Sequence, residues 1–109
     1  MLITLGLITS AIIGALAIGA VAILAVKLTV SFLKTFRKKK TSKVMAAQVK
    51  ELVKNAPTMS LDDLDEDDVI IAEYDLDEDE LVQDIKISRD TDARVNNILK
   101  NNGGIVVFD

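Results

Sequence analysis

The sequence predicts a membrane α protein: a single N-terminal transmembrane helix, then a basic amphipathic helix, then a small α+β unit at the C-terminal end. Three observations predict it. Residues 1–26 carry no charge, residues 27–54 carry nine Lys or Arg against Glu51 alone, and residues 69–108 hold short β-branched or alternating runs divided by turn residues.

The run from Met1 to Val26 exceeds the roughly 20 apolar residues that cross a hydrocarbon core about 30 Å thick. Because "LTVSFL" resumes the pattern after Lys27, the expected transmembrane helix covers residues 1–36, with Lys27 snorkelling toward headgroups. A cleaved signal peptide would need basic residues ahead of a shorter core, which this run lacks. Cations follow the run, so the N-terminus is expected outside and the C-terminus cytoplasmic, or interior to a virion membrane. Gly6, Ser10 and Gly14, and likewise Ala11, Ala15 and Gly19, recur at four-residue spacing and form the expected helix-packing face. The run holds no ionisable residue, which excludes a proton relay or a charged substrate path along it.

Lys34, Arg37, Lys38, Lys39, Lys40, Lys43, Lys50 and Lys54 make up the expected membrane-surface set. Within Thr41–Ala56, the apolar residues Met45, Val49, Leu52, Val53 and Ala56 fall on one helical stripe, and Pro57 ends the pattern. Residues 37–56 are therefore read as a basic juxtamembrane amphipathic helix, with each cation gaining about 1 kcal/mol against the anionic headgroups of a lipid bilayer. Nucleic acid is a poorer partner, since no aromatic residues interleave with the cations and an acidic block follows. That acidic block, in the same chain or a neighbouring subunit, is the remaining candidate.

Residues 58–85 hold thirteen Asp or Glu and no Lys or Arg. Residues 57–68 read as an acidic linker. A calcium-binding EF-hand loop needs Gly at position 6 and Glu at position 12. Counted from Asp63 these positions are Asp68 and Tyr74, and from Asp75 they are Glu80 and Lys86, so both registers fail. The 109-residue chain has no Cys and no His, which removes the thiolate nucleophile, the imidazole base and the usual zinc ligands. No catalytic residue, cofactor, metal or small-molecule substrate is expected.

Residues 69–109 form the expected small α/β unit. "VIIAEY" from Val69 to Tyr74 is a β-branched strand candidate, and "DIKIS" alternates Ile85 and Ile87 with Lys86 and Ser88. Asp90 or Thr91 caps a helix whose apolar stripe is Val95, Ile98 and Leu99, and Asn102-Gly103-Gly104 stops it. Asp77–Val82 is a candidate extra helical turn. The last strand, Ile105, Val106, Val107 and Phe108, is expected to lie parallel to the preceding one through a crossover. It is also the expected partner-binding element, because an unpaired edge invites another strand.

These readings predict a non-enzymatic structural or assembly subunit of a homo-oligomeric or hetero-oligomeric membrane complex, bacterial or of a membrane-containing phage. The alternative is a membrane-tethered adaptor whose acidic cytoplasmic tail recruits a basic partner.

Overall fold

In the computed structural model, described for residues 21–24, 26–55 and 65–108 together with Ile12 and Gly14, the chain builds one mixed sheet covered on both faces. The elements in order are β1 (Val21–Ile23), α1 (Val30–Phe36), β2 (Ser42–Gln48), α2 (Val49–Asn55), β3 (Val69–Asp75), β4 (Glu80–Leu81), β5 (Ile85–Ser88), α3 (Ala93–Asn101) and β6 (Ile105–Phe108). Across the sheet the order is β1-β5-β3-β2-β6, with β4 paired to β3 outside that path. The β1–β5 pair is parallel, and the others are antiparallel.

The expected transmembrane helix over residues 1–36 is corrected here. Val21–Ile23 is a strand in register with Ile85–Ile87, and Val30–Phe36 is a separate seven-residue helix, so no continuous helix runs to Phe36. Among the described residues no helix is long and apolar enough to cross a membrane. The single-pass assignment and the outside-to-cytoplasmic or virion-interior orientation derived from it fall with that helix. Ile12, a helical residue inside the same apolar run, is fully buried against the sheet. At Ile12 an apolar side chain of the run is buried in a protein core, a use that counting apolar residues does not distinguish from lipid.

The basic amphipathic helix over residues 37–56 is corrected as well. Its first half is β2, which pairs with β3 from Ser42↔Asp75 to Gln48↔Val69, and only Val49–Asn55 is helical. Val44 to Ala47 are all buried because β2 lies inside the sheet with helices over both faces. Such a strand reads as continuous apolar sequence without alternation.

Along β3 the side chains divide by parity. Ile70, Ala72 and Tyr74 face the cluster that contains Met45, Ala47, Ile85, Ile87 and, from α2, Val49 and Leu52. Val69 and Ile71 face the other cluster, where Val44 and Ala46 meet Leu33 and Phe36 of α1 and Val95 and Leu99 of α3. Burying a Leu such as Leu99 completely contributes about 2–3 kcal/mol.

Between Asp75 and Glu80 the expected helical turn is a four-residue hairpin loop, closed by Asp79 in the left-handed region (φ 55°). Helix α3 starts at the cap Asp92, whose Oδ1 accepts the Val95 N–H at 2.8 Å. It ends at Gly103 and Gly104 (φ 71° and 88°), where the Gly104 N–H donates to Leu99 O at 2.7 Å. The expected parallel pairing of β5 and β6 is not formed. Strands β3 and β2 lie between them, and β6 runs antiparallel to β2 from Val44↔Phe108 to Ala47↔Ile105.

Candidate functional site

The turn that joins α1 to β2 carries Arg37, Lys38, Lys39 and Lys40, and four positive charges in succession do not hold a fixed backbone unaided. The carboxylate of Glu73, which has no solvent exposure, holds this one. Glu73 Oε2 accepts the Lys38 N–H at 2.8 Å, the Lys39 N–H at 2.9 Å and the Ser42 hydroxyl. Glu73 Oε1 accepts the Gln83 amide at 2.7 Å, and the same amide nitrogen donates to Phe36 O at 2.7 Å. Burial by itself raises the pKa of Glu73, but the Ser42 hydroxyl, the two backbone N–H groups and the Gln83 amide outweigh it and hold the carboxyl below its ordinary value.

Two residues along the same strand, Asp75 Oδ2 accepts the Lys39 ammonium at 3.1 Å, and Oδ1 accepts the Asp77 N–H at 2.9 Å. The Lys39 contact comes first among the causes that lower the Asp75 pKa and, reciprocally, among those that raise the Lys39 pKa. Tyr74, on the opposite face, donates its hydroxyl to Asp79. That bond, then burial, pushes the phenol up to about 12.

Charge segregation in the sequence is thus partly resolved within the fold. Lys39 meets Asp75, Lys50 lies 4.0 Å from Asp67, and Arg89 lies 3.5 Å from Asp68. The eight cations expected on one membrane-facing surface are divided instead. Lys34 belongs to α1, Arg37 to Lys40 to the turn and Lys43 to β2, while Lys50 and Lys54 belong to α2 on the other side of the sheet. Of the helix-packing set only Gly14 is described; it is exposed, and a Cβ there would meet nothing within 4 Å. Gly6, Ser10, Ala11, Ala15 and Gly19 lie outside the described residues.

The expected partner-binding residues Ile105, Val106, Val107 and Phe108 form strand β6. β6 closes one end of the sheet, and Ile105 to Phe108 are all half-buried. The Gln48 N–H donates to Gly104 O at 2.8 Å, which makes that opposed pair a hydrogen-bonded one. Antiparallel pairs alternate, so Val106 and Phe108 turn their peptide groups toward β2, while Ile105 and Val107 turn theirs to the other side, where no strand among the described residues pairs. Beside this edge lies a cleft of about 380 Å³ lined by Val30, Leu33, Lys34, Arg37, Val44 and Phe108. Arg37 Nη2 donates to Phe108 O at 3.0 Å, which ties the basic turn to the end of β6.

Sequence reasoning did not find Glu73, Ser42 or Gln83. The available signal was a charged residue inside the apolar run Val69–Tyr74, since a carboxylate at a buried strand position must be satisfied by donors. Among the described residues no group of three or more His, Cys, Asp or Glu side chains is placed to hold a metal ion. Comparison with protein-family models, with curated proteins and with solved structures finds no match to this chain.

Proposed function

We propose that this chain is a non-enzymatic interaction module that recruits another polypeptide by strand addition to the open edge of β6. The observation that carries this reading is the outward direction of the Ile105 and Val107 peptide groups on an edge strand whose other side is fully engaged by β2. The titratable groups support it from another direction. Glu73, Asp75, Lys39 and Tyr74 are each shifted toward greater stability of their ordinary charge state at neutral pH. An acid or base catalyst is tuned the opposite way.

A strand from a different protein fits better than a second copy. Two β6 strands paired antiparallel about a two-fold axis would set the Lys34 and Arg37 end of one copy beside the Ile105 end of the other. There α3 finishes, with Lys100 in its last turn, and cations would meet cations.

Screening a displayed library of short extended peptides against the full chain tests the proposal. Binders are expected to protect the Ile105 and Val107 amides from hydrogen exchange. They should also lose affinity for Val107→Pro, which removes an outward N–H and leaves the β2 ladder intact. Binders that leave both amides exchanging, or a peptide-free dimer that protects them, would overturn it.

A further inference from the structure

Resting on strand addition at β6, we infer that the strand taken up is selected by a large apolar side chain and a carboxylate two residues apart, both read by the cleft beside Phe108. Leu33 and Val30 of α1, Val44 of β2 and Phe108 of β6 supply its apolar walls, and Lys34 and Arg37 supply its charge. Among the described residues no acidic one lines it. Its volume of about 380 Å³ falls within the range of pockets that hold small ligands, so one bulky side chain does not exceed it.

The two cations differ from five others of the basic set. Lys27, Lys39, Lys50, Lys54 and Arg89 each have a carboxylate within 4.0 Å. Among the described residues Lys34 and Arg37 have none. Arg37 spends one amino group on Phe108 O and keeps further N–H donors of its fork for a ligand. A guanidinium held in place at the mouth of an apolar cleft favours a carboxylate over a neutral or cationic group.

Strand geometry sets the spacing. Val106 and Phe108 project on the face where α1 and α3 pack, so alternate side chains of a strand added beside β6 project there too. One such side chain enters the cleft next to Phe108. The next on that face, two positions along, reaches the cations at its rim. The partner is accordingly an acidic, apolar segment of another protein.

The test reads the sequences of peptides selected on the full chain. Asp or Glu is expected two positions from Leu, Ile, Phe or Met. Arg37→Glu and, separately, Lys34→Glu should each weaken the selected peptides by about tenfold or more, with recovery when the peptide acid is changed to Lys. Because Arg37 also holds Phe108 O, the Lys34 variant keeps the test independent of that contact. Binders without the acid, or binders indifferent to both reversals, would overturn selection while strand addition stands. Binders that leave Ile105 and Val107 unprotected would overturn both.

Discussion

The backbone N–H of Lys39 donates to Glu73 Oε2 at 2.9 Å, so a residue in a surface turn is fastened by a carboxylate with no exposure to solvent. Removing the charge leaves several donors facing one neutral oxygen and an amide nitrogen that has nothing to give to. Glu73→Gln is expected to cost about 2–3 kcal/mol of unfolding free energy, the usual loss for a buried charged hydrogen-bond acceptor. Urea unfolding followed by circular dichroism measures it. An unchanged midpoint would show that the turn is held by other means.

The same group sets the acid limb of stability. Glu73 and Asp75 both titrate below their ordinary values of 4.5 and 3.8. The unfolded chain therefore takes up protons first as pH falls, and the stability these groups contribute is present above those values and lost as pH passes down through the folded ones. Unfolding midpoints recorded from neutral pH into the acid range should fall, and fall less steeply in Glu73→Gln. Parallel curves for the two proteins would assign the acid sensitivity elsewhere.

What was legible in the sequence follows from which patterns are local. Ile85–Ser88 alternates, α3 carries a cap and a glycine stop, and Ile105–Phe108 is β-branched between turn residues, so each element can be read where it lies. Strand β2 could not be, because Ala46 and Ala47 favour helix and Met45, Val49 and Leu52 repeat at helical spacing. Its strand conformation comes from β3 and β6 on either side, which sequence order places far away. The length of the first apolar run likewise reads as a lipid span, because burial of Ile12 by strands some sixty residues on leaves no mark near Ile12. The strand Ile105–Phe108 is legible because its apolar run after two glycines is a local signal. The cleft beside it needs α1 and β6 together, and no spacing predicts that.

Helix α3 reaches β6 through two glycines that are not equivalent. Both have positive φ, but a Cβ at Gly103 would meet nothing within 4 Å, whereas one at Gly104 would lie 2.4 Å from Glu51 Cγ and 2.8 Å from Gln48 Oε1. Gly103→Ala should cost about 1 kcal/mol, the penalty of the left-handed conformation alone. Gly104→Ala should cost more, because the Glu51 and Gln48 side chains must also move to clear the methyl group. Thermal unfolding of the two variants gives the order directly, and equal losses would mean that Glu51 moves aside freely.

Tyr74 is the only tyrosine of the chain, and there is no tryptophan, so phenolate absorbance reports this residue alone. Its hydroxyl donates to Asp79, and ionising it would set a phenolate against a carboxylate with no proton between them. The folded protein should titrate at about 12, against an ordinary value of 10.0. The sign of the linkage follows: the stability due to this bond is complete below pH 10.0 and is lost as pH rises toward 12. Asn at position 79 tolerates the left-handed backbone and still offers an oxygen, so Asp79→Asn removes the charge with little change in geometry. The titration midpoint should then move down toward 10.0, and the loss of stability between pH 10.0 and about 12 should shrink accordingly. If the midpoint stays near 12 in the variant, burial rather than the Asp79 charge holds the proton on Tyr74.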